Sequence, residues 1–577
     1  MKNIVGGTIF WNIAGCAYFW GLMAYLRREN KKGQTYLSIC ESYRDKTGKV
    51  NRRTLNNLGN INKYTPEALE RIGNQLIELV KPTLPEATIK ELSRHNYGYP
   101  YIICRLLNIY GLDVLMRRFT RNHKLGFDLL QPLLLMLCDR FNDPASKLGS
   151  YNLQNDYIGI GKDIPLQHLY RSLDYLALHN ELIQTHIYNK HTNLFNYELD
   201  VVFYDVTTFY FDSDVVQEGA LRQKGFGKDG KIGKTQVLFS LLIDKNKVPI
   251  GFEIYKGSHY EGHTFKDAVK KLKSKYNIKR IIVVADSGML NNDNIDIFGA
   301  GKEADGYEYI VGDRIKTLPE AVVTYLTDIK NYTTVKIEQS KETSGQKQST
   351  DKDEDNDEAL FLKYCTYNYK ERTLICTWSA KRAKKDKAER EEKIKKAEQL
   401  IQKPSLLEKK SKRYFIKSTE EKKYELDQQK IEWQAKFDGF KAIATNAKGI
   451  NAVTVLEKYK DLYKVEHSFR TFKSYLEARP MFHWTDTRIE GHLVLCYIAF
   501  CIQSYLQTQL GECCSEQVIR RALSKMELSK LQKENEICWL RSAMTPEGER
   551  IIKSLNLKQL PDVVSAAILT NYIPHNM

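Results

Sequence analysis

The sequence contains no Cys-x-x-Cys pair. Its 11 cysteines are odd in number, with Cys513 and Cys514 adjacent, which excludes a disulfide framework and a zinc knuckle and suits a reducing compartment. It also lacks a nucleotide-binding phosphate loop. The run GFGKDGKIGKT (225–235) ends in Gly233, Lys234 and Thr235, but Lys228 stands where that pattern requires glycine, and the run precedes a strand instead of following one. What remains is a basic, glycine-rich hairpin loop suited to approaching a phosphate backbone. A clean membrane anchor is missing too. The apolar stretch 9–25 approaches the length of a bilayer span, yet it includes Asn12 and two glycines and has no basic segment before it. The competing reading starts the working protein at Met23 and leaves 1–22 as a dispensable apolar extension, and no membrane is expected.

Acidic charge is the scarcer sign. Lys and Arg number 88 against 71 Asp and Glu, a balance of +17, and the isoelectric point is about 9.1. Such a balance points to a polyanionic partner, most simply double-stranded DNA, and to a cytoplasmic, nucleoid-associated protein. At 577 residues the chain exceeds one core, so a central domain with appended and inserted modules is expected.

TYLSICESYR (35–44) and VNRRTLNNL (50–58) flank DKTGK, a hairpin signal with glycine in the turn. Arg44, Lys46, Lys49, Arg52 and Arg53 crowd this unit, and Arg52 and Arg53 are its candidate DNA contacts. From 66 to 191 the apolar spacing turns helical, giving an α-helical arm in which Arg117, Arg118, Arg121 and Lys124 either hold DNA ends or are helix-end charges. The period then changes. VVFYDVTTFYF (201–211), TQVLFSLLID (235–244), PIGFEIYKG (249–257) and RIIVVADSG (280–288) read as strands, with a short helix over 264–276. Three strands, a helix and a fourth strand is the opening order of a ribonuclease H-like α/β fold.

After this comes a detour: an acid-rich flexible loop (340–358), the strand-like LFLKYCTY and TLICTWS, and the charged helix AKRAKKDKAEREEKIKKAEQLIQK. It reads as an inserted module, rejoined by the strand FKAIATN (440–446). RIEGHLVLCYIAFCIQSYLQTQL (488–510) reads as a buried core helix, and the remainder to Met577 as helical. Domain limits follow as 1–22, 23–195 (basic hairpin and helical DNA-binding region), 196–315 (first part of the core), 316–438 (insertion), 439–512 (second part of the core) and 513–577.

The stretch 453–476, VTVLEKYKDLYKVEHSFRTFKSYL, reads as one amphipathic helix. Leu462, Val465, Phe469, Phe472 and Leu476 draw an apolar stripe, and Tyr459, Glu466, Arg470 and Lys473 a polar one. Two further acids interrupt or close strands: Asp205 within the first, Asp286 at the end of the fourth. A carboxylate in such a strand is costly without a cation, and neither strand has a neighbouring Lys or Arg. Asp212 and Asp214 lie beyond the first run as turn residues, and Asp313 in YIVGDR is a rival. Asp205, Asp286 and Glu466 together suit hard divalent cations, Mg²⁺ or Mn²⁺, two of them about 3.5 to 4 Å apart in phosphodiester chemistry.

These residues resemble the DDE transposases of bacterial insertion sequences, the group whose last acid sits in a Tyr-x2-Arg-x3-Glu-x6-Lys signature. Here the signature reads Tyr459, Leu462, Glu466 and Lys473, so the arginine is absent. FYDVTTFYF, VVADSGM, FDGFKAIATN and VEHSFRTFKSYLEARPMFHWTDTRIEGH add to the similarity, which spans about 23 to 510. The resemblance implies that Asp205, Asp286 and Glu466 hold the metals and that Tyr459 and Lys473 contact DNA at the transposon end, with Arg470 a substitute for the missing arginine. It implies cleavage at element ends, 3′-hydroxyl strand transfer into target DNA, and a homodimer in the synaptic complex. A ribonuclease H-like nuclease or resolvase without strand transfer, and a non-catalytic DNA-binding protein, are the alternatives.

Overall fold

The computed structural model describes residues 24–569 except 46, 81–88, 162, 196–200, 212–214, 217–219, 226–233, 261–263, 265–267, 269–270, 272–274, 276–280, 287–306, 337–360, 403–413, 419–423, 480, 512–513, 534–535 and 566–568. The glycine-rich loop, the acid-rich tract, Asp212, Asp214 and Lys46 therefore fall outside the described residues, as does most of the 264–276 helix. The chain divides into two compact units, Met1–Lys90 and Glu91–Met577.

In the first unit, β1 (Ala24–Lys31), β2 (Gln34–Arg44) and β3 (Val50–Asn60) form an antiparallel meander followed by α1 (Pro66–Val80). The expected hairpin is present, its turn made by Gly48 at φ +83°, a conformation that glycine adopts without Cβ strain. β1 is an addition: AYLRRENK is charged and mostly exposed, so it offers no apolar alternation from which to read a strand.

β4 (Ile89–Asn96) runs across the boundary into the second unit, which continues with a helical layer: α2 (Gly98–Tyr110), α3 (Leu112–Asn122), α4 (Leu130–Asn142), α5 (Lys147–Asn152), α6 (Leu166–Leu178) and α7 (Asn180–Phe195). The helical arm grouped with the hairpin on sequence thus belongs to the larger unit. The central sheet holds β5 (Val201–Tyr210), β6 (Gln223–Lys224), β7 (Thr235–Asp244), β8 (Pro249–Lys256), β9 (Ile281–Ala285) and β10 (Tyr307–Asp313). β5, β7 and β8 are antiparallel neighbours, and on the other side of β5 lie β9 and β10, both parallel to it.

The intervening stretch supplies α8 (Glu320–Thr327), β11 (Thr333–Lys336), β12 (Phe361–Tyr369), β13 (Arg372–Trp378), α9 (Ala380–Ile401), β14 (Ile416–Ser418), β15 (Tyr424–Leu426) and α10 (Gln428–Ala435). β16 (Phe440–Thr445) then pairs with β10 on one side and β13 on the other. The inserted strands therefore do not make a sheet of their own. β11, β12 and β13 continue the central sheet through β16 to ten strands.

The segment read as one helix is three pieces: α11 (Ala452–Lys460), α12 (Tyr463–Arg470) and a π-helical turn, Thr471–Tyr475. At the junction the bonds shorten to i+3, from Leu462 N to Tyr459 O at 3.2 Å and Lys464 N to Asp461 O at 2.9 Å, so the helical phase slips there. α13 (Asp486–Leu510) is long and apolar enough to span a bilayer, but 89% of its apolar window is buried inside the protein, as expected for a core helix. The C-terminal stretch corrects the all-helical reading. α14 (Glu516–Ser524), β17 (Glu527–Lys533), β18 (Glu536–Arg541), α15 (Pro546–Ser554) and β19 (Val563–Ser565) alternate, and β19, β18, β17 and β4 form a four-stranded sheet. β17 and β18 (ELSKLQK, EICWLR) lack regular alternation.

Two cores follow from the pleat. On one sheet face Val201, Phe203, Phe209, Ile282, Val284 and Ile443 pack against α11, α12, α13 and the helical layer. On the other, Val202, Tyr204, Val206, Val283, Ala285 and Ala442 form a separate core with α8.

Candidate active site

β5 is buried at eight of its ten positions, and Asp205 is one of the two exceptions. By alternation Asp205 falls in phase with Val201, Phe203 and Phe209, on the face covered by α11 to α13. Asp286 follows β9 directly and continues the phase of Ile282 and Val284, toward the same face. The parallel register pairs Val201 with Ile282 and Phe203 with Val284. Continued by two residues, it sets Asp205 level with Asp286 on strands about 4.8 Å apart.

Glu466 lies on α12, which packs on β5 and β7. Val465 and Phe469 seat that helix at 0% and 6% exposure, leaving Glu466 exposed. The expected apolar stripe is thus present, with Leu462, Phe472 and Leu476 buried as well. Tyr459 departs from the expected polar stripe. The slip at Asp461–Leu462 breaks the phase between Tyr459 and Glu466, and the phenol ring is 6% exposed in the core, although it lines a cleft.

That cleft, about 540 Å³, opens beside the carboxyl ends of β9 and β10, where open α/β sheets receive ligands. Asp286, Arg314, Lys316, Arg382, Lys441 and Tyr459 are among its walls. The Lys441 ammonium stands 4.5 Å from the centre of the Tyr459 ring, a cation–π contact. Burial, then the charge of Asp286, pushes the Tyr459 phenol up; Glu466 acts the same way and Arg382 opposes. Burial and Arg382 push the Lys441 ammonium down, while Asp286 and Glu466 hold it up. Asp286 and Glu466 are therefore brought into one electrostatic neighbourhood with Lys441 and Arg382. Asp205 accepts a hydrogen bond from the Val206 backbone N–H at 2.7 Å.

Among the described residues no three acidic, histidine or cysteine side chains converge closely enough to enclose one ion. The donor chemistry nonetheless fits a hard dication: carboxylate oxygens on one sheet face, two of them from exposed residues. Asp313, the rival acid, lies in phase with Tyr309 and Val311 on the opposite face. Its side chain is 4% exposed and paired with Arg372 at 3.2 Å, although the residue also borders the cleft.

The remaining sequence candidates scatter. Arg470 ends α12, and its charge is felt at His467 together with those of Lys247 and Glu516. Lys473 is half-buried in the π turn. Arg52 and Arg53 belong to β3 of the first unit; Arg53 pairs with Glu41 across the strands and Arg52 is exposed. Sequence reasoning missed Lys441 and Arg382. A signal for Lys441 was present: it is the one charge in the otherwise apolar strand FKAIAT, the same anomaly that marked Asp205. Arg382 was hidden among the many cations of α9.

Residues 26–86 match the IS1634 family transposase N-terminal domain. The match supports an insertion-sequence transposase. Among curated proteins none matches the chain in sequence. Solved structures that align with it include a piggyBac transposase synaptic complex with hairpin DNA, at 8% identity, 74% of this chain, 78% of that one and a TM-score of 0.35. A Mos1 transposase paired-end complex with its left transposon end aligns at 12% identity over 37% of this chain and 69% of that one, with a TM-score of 0.14. At these scores neither likeness bears on the fold.

Proposed function

We propose that the chain is a DNA transposase of the DDE kind, built on a ribonuclease H-like core, which cuts at transposon ends and transfers the freed 3′ hydroxyl into target DNA. The observation that carries this reading is the level pair Asp205 and Asp286 on adjacent parallel strands, facing the helix that bears Glu466. The strand order β8-β7-β5-β9-β10, with β7 alone antiparallel to both its neighbours, supports the ribonuclease H-like core. The match over residues 26–86 supports the element class.

Asp205, Asp286 and Glu466 are the residues that would hold two Mg²⁺ or Mn²⁺ ions, because a pair of dications lends Lewis acidity to both the attacking and the leaving oxygen of a phosphodiester. The rest falls to the chain. The apolar core under β5 and β9 fixes the spacing of the two aspartates, and Val465 and Phe469 fix the height of Glu466 above the sheet. Arg52 and Arg53 of the first unit, with Tyr459, Arg470 and Lys473 of the second, contact DNA. Two subunits pair the element ends as a homodimer, in the cytoplasm.

Purified protein begun at Met23, mixed with its own flanking DNA and Mg²⁺, is expected to give end-specific nicks and joined products. Nicks without joining would leave a nuclease or resolvase. Salt-sensitive binding with no Mg²⁺-dependent product would leave a DNA-binding protein without chemistry.

A further inference from the structure

The family signature has an arginine where this chain has Leu462, and Leu462 is 8% exposed within the core. A phosphate contact from that position is therefore impossible here. Arg470 closes α12 one turn beyond Glu466 and is not among the residues that line the cleft. A different pair of cations stands beside the acids. Lys441 comes from β16 and shares the sheet face of Ile443, hence of Asp205 and Asp286. Arg382 comes from the first turn of α9, in the inserted stretch. Both line the cleft that Asp286 and Tyr459 also line.

The arrangement is costly as it stands. Lys441 is half-buried, and among the described residues no carboxylate forms an ion pair with its ammonium, which stands over the Tyr459 ring. Arg382 is close enough for its charge to disfavour that of Lys441, and its own carboxylate partner is Asp386, four residues along the helix, at 3.5 Å. The acids of the cleft, Asp286 and Asp386 among them, offset part of this repulsion, but none forms an ion pair with the Lys441 ammonium, which leaves it open to an anionic ligand that also reaches Arg382. Phosphodiester oxygens satisfy both, as a bidentate partner for guanidinium and a point-charge partner for ammonium.

We infer that Lys441 and Arg382 form a phosphate clamp that holds one DNA phosphodiester in this cleft beside Asp286 and Glu466, the task of the missing signature arginine. The clamp rests on the transposase reading. It makes the inserted helix part of substrate binding, and it is a positioning device: the two cations hold the strand and the carboxylates remain responsible for the chemistry.

The test uses the chain from Met23 and a labelled duplex of its flanking DNA. Binding is measured in EDTA across a salt series, and cleavage in Mg²⁺. Lys441→Gln and Arg382→Gln are each expected to weaken binding about threefold to tenfold and to lower the slope of log affinity against log salt by about 1. Cleavage should fall further than binding in both, and Lys441→Arg should restore most of it, whereas Arg470→Gln should move the salt slope less than either. Thermal melts matching the parent establish that the variants fold. Unchanged binding and salt slope in both glutamine variants, with the parent still cutting ends, would overturn the clamp and leave the transposase reading standing. A parent that binds DNA with the clamp's salt dependence yet never cuts would overturn the transposase reading and keep the clamp; a parent that does not bind DNA would overturn both.

Discussion

The two faces of the central sheet treat charge differently. On the face covered by α8, Asp313 and Arg372 are closed on each other with 4% and 11% of their side chains exposed. On the face covered by α11 to α13, Asp286 and Glu466 are exposed at its rim, and Lys441 stands among them without an ion pair among the described residues. A buried acid that has already found its arginine is part of the scaffold. Acids and cations gathered at the rim of a cleft with their charges unspent are available to a ligand.

The sharpest way to break this contrast is to remove one charge from each face. Glu466→Gln should lower cleavage by about a thousandfold or more while leaving DNA binding nearly intact, because the neutral amide loses metal affinity but keeps shape; retained cleavage in a gel assay would remove Glu466 from the site. Arg372→Met should do the reverse. Leaving Asp313 buried and unpaired is expected to cost about 3 kcal/mol in a urea melt, with cleavage per folded molecule preserved, and adding Asp313→Asn should recover part of that loss.

A third prediction concerns the packed interior behind the open face. His483 is buried beside Lys147, Arg140 and Arg488, and burial first, then these cations, pushes it down to about 3 from an ordinary 6.5. Its other close neighbour is the His492 ring, 5.1 Å away. The folded protein keeps His483 neutral while the unfolded chain takes up a proton, so stability should fall as pH drops from 6.5 toward 3. His483→Asn should flatten that part of the stability curve, measured by chemical denaturation at several pH values. The smallest effect is expected in the first unit. Arg52→Gln, which removes an exposed cation, should weaken DNA binding about twofold to threefold, and Arg53→Gln less, because Arg53 is engaged with Glu41.

Much of the central sheet was readable because its strands are buried on both faces and so appear as unbroken apolar runs. TQVLFSLLID coincides with β7, and VVFYDVTTFY with β5. The single acid in VVFYDVTTFY stood out for the same reason. The segment 453–476 was legible in its apolar residues and not in its break, since no proline or glycine marks Asp461–Leu462; the slip is made by tightened backbone bonds. β4 and β17 were not legible because each is largely polar and the two partners lie more than 400 residues apart along the chain, and β18 because its short apolar run has no regular alternation. The level relation of Asp205 and Asp286 is a matter of register between strands, and no local pattern encodes it.

Gly439 stands where the inserted stretch meets the central sheet. Its φ is +86°, and a Cβ there would lie 2.8 Å from both the Ser379 carbonyl oxygen and the Trp378 indole nitrogen. Ser379 N–H in turn donates to the Gly439 carbonyl at 3.2 Å. The start of α9 is thereby riveted to the start of β16, two residues before Lys441. A larger residue at 439 would pry Arg382 away from Lys441 without touching either, making this hinge-free joint the place from which the inserted stretch governs the reach of the site.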